Sequence, residues 1–282
     1  MKTGVVDVGG GLRGAYGVGI MDYCMDQQIQ FDCCIGVSAG SANLITYVAG
    51  QRGRCKEFYS TYTFRKEYMG FGNLLKTGSY IGLDYIYGTL SNSDGESPLD
   101  YPALMASPAE FYAVAENAVT GEVKYFSKAD VHQDDYRILM ASCCIPGVDK
   151  PYVIDKTPYF DGALADPVPI QKAFDLDCDR VVLILSRPVS VLRKPGKDLT
   201  LAKLIRRRYP ISAEKIAKRA EVYNASVEVA KKYEQMGKVC IVAPEDTDGV
   251  STLSRKKENL EKLYERGYRD GAAISRWLEH TT

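Results

Sequence analysis

Five residues, Gly36-Val37-Ser38-Ala39-Gly40, constrain this chain more than any other stretch. An apolar run, Cys33-Cys34-Ile35, precedes them, and residues 41–49, a composition able to sustain a helix, follow; the segment reads as strand, tight turn and helix. A serine at the centre of G-x-S-x-G sits at a strained strand-to-helix corner, and the glycines two residues to either side (Gly36 and Gly40) remove side chains that would clash there. Its hydroxyl is lifted out of the sheet at the positive end of a helix. Such a corner belongs in an α/β fold.

With 282 residues the chain can form one large α/β domain or two small ones, and one domain is expected. Basic and acidic residues balance at 36 each, so no global field points to nucleic acid. The eight cysteines include two adjacent pairs, Cys33-Cys34 and Cys143-Cys144, but no C-x-x-C, and the two histidines are too few for a zinc-type cluster by familiar spacing. Buried thiols in a reducing cytosol are the expectation, with no metal and no cofactor. Met1-Lys2-Thr3-Gly4 leads directly into a strand and no apolar run approaches about 18 residues, which predicts a cytoplasmic protein whose membrane contact is limited to its surface.

Along the chain, residues 4–8 read as the first strand and 15–28 as a mostly apolar helix. Between them lies Gly9-Gly10-Gly11-Leu12-Arg13-Gly14, and two functions compete for it. Gly9, Gly11 and Gly14 match G-x-G-x-x-G, the dinucleotide-binding pattern of an oxidoreductase, which also wants an acidic residue at the C-terminal end of the second strand. Asp32 has the spacing but precedes the apolar run 33–35, at the wrong end of the strand. In the second reading the loop exposes successive backbone N–H groups to developing negative charge on an acyl oxygen, with Arg13 adding charge or fixing the loop.

Residues 58–87 are rich in tyrosine and phenylalanine and broken by glycines, suited either to a cap lining an acyl-chain pocket or to ordinary helix cores. Alternation over 110–127 predicts an antiparallel hairpin, and 152–154 and 158–160 short strands about a turn at 155–157. The latter pair ends in Asp161-Gly162-Ala163, where Asp161 is either a plain turn aspartate or a functional acid. Strong buried strands follow at 180–186 and 238–243. The basic stretch 193–219 between them is either a solvated helix face or a surface for anionic headgroups. A terminal helix over 254–278, with Leu260, Leu263, Tyr264, Gly267, Gly271, Ile274 and Leu278 on one face, is assigned to packing.

Taken in order, the glycine loop, the G-x-S-x-G elbow and Asp161-Gly162-Ala163 resemble the bacterial patatin-like phospholipases, whose motifs G-G-G-x-R-G, G-x-S-x-G and D-G-[GA] are matched without substitution. Ala141-Ser142 with Pro146 also looks like that family's segment between elbow and aspartate. The resemblance covers roughly residues 4–186; the rest looks like an extension found in some bacterial members. It implies a three-layer α/β/α fold with a central, mainly parallel sheet, one antiparallel hairpin and extra C-terminal helices. A catalytic core over 1–186 and a basic helical region over 187–282, packed on the same domain, are expected.

The resemblance further implies a lipid acyl hydrolase with a serine–aspartate dyad, Ser38 and Asp161, Gly162 and Ala163 supporting the turn. The oxyanion would be held by N–H groups around Gly10, Gly11 and Leu12 within residues 9–14. The residues agree on one independent point: a serine triad needs a histidine, and His132 lies in a charged loop while His280 stands two residues from the end. A free aspartate, with a pKa of about 3.9, is a poor base for a hydroxyl, so Asp161 should be partly desolvated. Asp155 and Asp166 compete as bases but lack the D-G-[GA] context. A lipid or other ester is the expected partner; a catalytically silent scaffold of the same fold is the non-enzymatic alternative.

Overall fold

The computed structural model describes residues 1–280. Its elements run β1 (Thr3–Asp7), α1 (Ala15–Asp26), β2 (Cys33–Val37), α2 (Ala39–Val48), α3 (Arg54–Ser60), α4 (Phe71–Thr77), α5 (Tyr101–Ala106), β3 (Glu110–Asn117), β4 (Val123–Ser127), α6 (Arg137–Ser142), β5 (Tyr152–Ile154), β6 (Thr157–Asp161), α7 (Ile170–Asp175), β7 (Arg180–Ile184), α8 (Asp198–Ile205), α9 (Pro210–Gln235), β8 (Val239–Val242), α10 (Lys257–Asp270) and α11 (Ala272–His280). One sheet takes the order β5-β6-β3-β2-β1-β7-β8, with β4 paired to β3. β3, β2, β1, β7 and β8 are parallel; β4, β5 and β6 enter antiparallel, giving the expected hairpin and the short strand pair.

The parallel strands read as unbroken apolar runs because both faces are covered. Successive residues divide between two cores: Val5, Cys34 and Val182 face one, with Tyr16, Ile20, Leu44 and Leu263 from α1, α2 and α10. Val6, Ile35 and Leu183 face the other, with Ile170 from α7 and Val227 and Ala230 from α9. The result is the three-layer α/β/α arrangement. All eight cysteines are buried and free. Among the described residues no helix is long and apolar enough to cross a membrane.

The terminal helix differs from expectation. It is two helices, α10 and α11, parted at Gly271, whose Cα lies so close to the ring of Tyr23 that a side chain there would collide with it. α10 crosses α1 at backbone contact: a Cβ on Gly19 would meet the Tyr264 carbonyl, and one on Gly267 the Tyr16 carbonyl. Tyr264 and Tyr16 then donate hydrogen bonds to Asp22 (2.8 Å) and Asp270 (2.7 Å). The C-terminal residues also contribute β8 to the central sheet.

Candidate active site

The position of the site follows from how β3 is shared. Val37, the last residue of β2, lies opposite Val114, and Asp161, the last residue of β6, opposite Ala115. β4 pairs with the same two residues, Val114 with Tyr125 and Ala115 with Lys124. A strand has only two edges, so β4 occupies one while β2 and β6 share the other. They run antiparallel and meet end to end, which brings Ser38 and Asp161 together although 122 residues, roughly, separate them in sequence. Both are buried, at 5% and 4% exposure.

Ser38 has φ 55° and ψ −131°, a conformation that costs a serine about 1–3 kcal/mol and persists only when its surroundings hold it. They do. Its N–H donates to Ser142 Oγ (3.0 Å), and its carbonyl accepts from the Ser41 N–H (2.9 Å) and Ser41 Oγ (2.7 Å). A side chain on Gly36 would overlap the Ser41 backbone and one on Gly40 the Asp7 carbonyl, so both elbow glycines are sterically required. Ser38 thus stands immediately before the first turn of α2.

Asp161 is held from both sides: its N–H donates to the Cys144 carbonyl (2.8 Å) and its Oδ1 accepts from the Ala163 N–H (2.9 Å). Burial raises its carboxyl above the ordinary carboxylate range, opposed by a hydrogen bond with the Ser38 side chain, by the Ala163 N–H and by the charges of Arg219 and Arg193. Asp161 is thus a desolvated carboxylate lining the same cavity as Ser38, the placement that a general base needs towards its proton donor. Asp166 is engaged by the Tyr125 hydroxyl (2.6 Å), and the Asp155 side chain is 88% exposed. Neither histidine lines a cavity that contains Ser38.

The glycine loop passes beside this pair with left-handed φ at Gly9 (61°), Gly10 (117°) and Gly11 (61°). Its donors are not equivalent. The Gly9 N–H is bound to Asp7 Oδ1 (2.8 Å), and Asp7 also accepts from Asn43 Nδ2 (2.9 Å), which reaches the Gly14 carbonyl as well (3.1 Å). The Leu12 N–H donates to the Thr252 carbonyl (3.0 Å), while Arg13 Nη1 meets Thr252 Oγ1 (3.2 Å). That leaves the N–H groups of Gly10 and Gly11 without a partner among the described residues. The expectation that Leu12 offers its N–H to an oxyanion is therefore corrected: a segment far along the chain has taken it. Thr252 also covers Gly11 closely enough to exclude a side chain, and Asp32 is bound by its carboxylate to the N–H of Thr3 (2.7 Å), at the start of β1 and so at the opposite end of that strand from the loop.

Two cavities meet at Ser38. The first, about 670 Å³ and open to solvent, is largely apolar; Phe58, Tyr59, Tyr68, Ile86 and Tyr87 from the aromatic segment line it. The second, about 1190 Å³, contains Asp161, Gly10 and Arg13 together with Arg187, Arg193 and Arg219. Gly11, Ser38, Ile145, Thr252 and Leu253 belong to both. Other members of 58–87 point elsewhere, Phe71 being 74% exposed, so the segment serves as pocket wall in part only. Sequence reasoning missed Thr252 and Arg187, and it singled out Ser142 without a role. Ser142 was visible through the resemblance of Ala141-Ser142 and Pro146 to the family's segment between elbow and aspartate; nothing local marked the others.

Residues 8–174 match the family model described as patatin-like phospholipase, and residues 209–280 match a domain of unknown function, DUF6363. The chain is 27% identical to the uncharacterised protein YjjU of Escherichia coli K12 over 199 residues, 69% of this chain and 54% of that one; it spans about half the length of this curated relative. Among solved structures, VipD from Legionella pneumophila aligns over 97% of this chain and 67% of its own, with 14% identity and a TM-score of 0.49.

Proposed function

The chain belongs to the patatin-like phospholipase family, and from that premise we propose that it hydrolyses carboxylic esters of lipids through Ser38 and Asp161. Asp161 takes the proton of the Ser38 hydroxyl as Oγ attacks the ester carbonyl. The N–H groups of Gly10 and Gly11 hold the oxyanion, assisted by the dipole of α2. The tetrahedral species collapses with loss of the alcohol, to which Asp161 returns the proton, and an acyl group remains on Ser38. Water then attacks that acyl group, giving its proton to Asp161, and the fatty acid leaves as Ser38 is reprotonated.

The observation that carries this reading is the place of Ser38, in one cavity with a desolvated carboxylate and at the junction of an apolar and a charged cavity. An acyl chain fits the first by burial of apolar surface, and the polar remainder of an amphiphile fits the second. A lipid panel incubated with wild type and with Ser38→Ala, read by mass spectrometry, tests it. Fatty acid released by wild type alone supports the reading; equal release by both proteins removes it.

The same reading includes contact with a membrane surface. Leu199 (51% exposed) and Leu204 (69% exposed) on α8 project beside the exposed Lys203, Arg206, Arg207 and Arg208, a pairing of apolar and basic groups suited to an anionic bilayer face. Of the basic stretch 193–219, Arg193 and Arg219 turn inward to Asp198 instead and are unavailable to such a surface.

A further inference from the structure

Tyr59, Tyr68 and Tyr87 line the apolar cavity beside Ser38, and their hydroxyls are not equivalent. Tyr87 shares a hydrogen bond with Cys143 Sγ (3.2 Å). Tyr59 and Tyr68, only 8% and 9% exposed, hydrogen-bond to nothing among the described residues, yet neither oxygen is sealed inside the packing as the Tyr136 hydroxyl is. In side chains so nearly buried, the surface left to each oxygen is that of the cavity they line.

Tyr59 stands at the reacting end of that cavity. A Cβ on Gly14 would lie 2.5 Å from the Tyr59 hydroxyl and 3.1 Å from the Ala39 side chain, and Ala39 directly follows Ser38. Burial pushes the Tyr59 phenol well above the ordinary tyrosine range, with Tyr68 near enough to add to the shift, and burial raises Tyr68 in the same way. Both are therefore protonated donors. A hydroxyl held in apolar surroundings without a partner is unfavourable. Phenylalanine would line the cavity without that penalty, as Phe58 does in the same wall. Water can serve both oxygens while the cavity is open, but an acyl chain that enters displaces it, and a plain alkyl chain restores no hydrogen bond.

We infer that this cavity takes an acyl chain bearing a hydroxyl within its first few carbons, with Tyr59 as the donor nearest the ester carbonyl and Tyr68 as the second. The inference rests on the hydrolase reading for which end of the ligand meets Ser38, and it goes beyond that reading by naming the acyl class. Ile81, Leu83 and Ile86 in the same wall bury the alkyl remainder. A site whose donors are set for a ligand oxygen rejects the analogue that lacks it, because that analogue leaves the donors dry and unpaired. Tyr59 and Tyr68 thus determine specificity and take no part in the proton transfers at Ser38 and Asp161.

The test compares methyl 3-hydroxyoctanoate with methyl octanoate, both kept monomeric so that surface binding plays no part, on wild type, Tyr59→Phe and Tyr68→Phe. Each substitution keeps the ring and removes only the hydroxyl, and a ratio between two esters cancels any general loss of activity. Wild type is expected to prefer the hydroxy ester in kcat/KM by about tenfold or more. That preference should fall by about fivefold or more in Tyr59→Phe, and by less in Tyr68→Phe, through loss of activity on the hydroxy ester and not through gain on the plain one. A wild-type ratio near unity, or a preference that survives in both variants, overturns the inference. If wild type cleaves neither ester, the hydrolase reading has failed on them, and calorimetric titration with 3-hydroxyoctanoate and octanoate decides the cavity's ligand alone. Tighter binding of the hydroxy acid that is lost in Tyr59→Phe sustains the inference; equal affinity for the two acids, or no binding of either, overturns it.

Discussion

Val37 and Asp161 occupy successive positions along one edge of β3, opposite Val114 and Ala115, and they arrive there from opposite directions. Neither strand could be longer without overrunning the other. The gap between the two strand ends is where the chain turns out of the sheet, at Ser38 on one side and Gly162 on the other, and the catalytic pair of the proposed mechanism is what remains facing across it.

This geometry makes Gly162 a spacer whose replacement is costly. A Cβ there would lie within the Val114 carbonyl, which is backbone and cannot step aside. Gly162→Ala is expected to lower stability by about 1–3 kcal/mol and to depress activity by displacing Asp161. Gly72, in the exposed α4, has nothing near its missing Cβ, and Gly72→Ala is expected to stabilise by about 0.5–1 kcal/mol. Chemical denaturation of both variants checks the contrast; a Gly162→Ala protein as stable as wild type would refute the spacer role.

Ser142, fully buried at the end of α6, accepts the Ser38 N–H. It touches no reacting atom, so it is a positioning residue. Ser142→Ala leaves a buried N–H without an acceptor, at about 1–3 kcal/mol, and loosens the hold on the strained Ser38 backbone. Steady-state kinetics should show kcat down by roughly tenfold or more with KM little changed. A change confined to KM would contradict this role.

The raised carboxyl of Asp161 sets the acid side of the pH profile. Only its ionised form can accept the Ser38 proton, so kcat/KM should fall as pH drops through a pKa above the ordinary aspartate value of about 3.9. A profile flat down to that value would show that Asp161 is not the base. Arg193→Gln removes one of the charges that favour the carboxylate and should move the limb to higher pH.

Glu116 offers a stability measurement independent of catalysis. It is fully buried, neither carboxylate oxygen has a hydrogen-bond partner among the described residues, and burial, opposed by Lys215 and then by the nearby Ser212 side chain, raises its pKa from 4.5 to about 7. A folded-state pKa above the unfolded one means that the penalty is fully present above pH 7, shrinks as pH falls towards 4.5 and is absent below it. Glu116→Gln is expected to be more stable than wild type at pH 8, by an amount on the order of 3 kcal/mol, with the difference closing in acid. Urea melts at pH 8 and pH 4 check the sign.

Much of the fold was legible because it is written locally. The parallel strands are continuous apolar runs, and the elbow and the D-G-A turn carry their glycines where backbone approaches backbone, as Gly36, Gly40 and Gly162 do. The edge shared by β2 and β6 was not legible, since it depends on pairing with residues 114 and 115 and not on either strand. Leu12 was expected to donate to the oxyanion because it continues the glycine loop's run of exposed N–H groups; Thr252, 240 residues away by rough count, had no local signal that it would claim that N–H. The basic stretch was legible in part, for a related reason. Its scarcity of acids suggested an outward face, and Lys194, Lys197, Lys203, Arg206 to Arg208 and Lys218 are exposed, but Asp198 is enough to gather Arg193 and Arg219 inward. Gly271 was read as one more packing position in a single helix; it stands between two, against the ring of Tyr23.

The central claim is that Ser38 is a nucleophile activated by Asp161. Treatment with a fluorophosphonate probe, followed by peptide mass spectrometry, tests it most directly. Wild type should carry one phosphonate adduct on the peptide containing Ser38, Ser38→Ala none, and Asp161→Asn should label more slowly by roughly a hundredfold or more. A wild-type protein that stays unlabelled at Ser38, or an Asp161→Asn protein that labels at the wild-type rate, would contradict it.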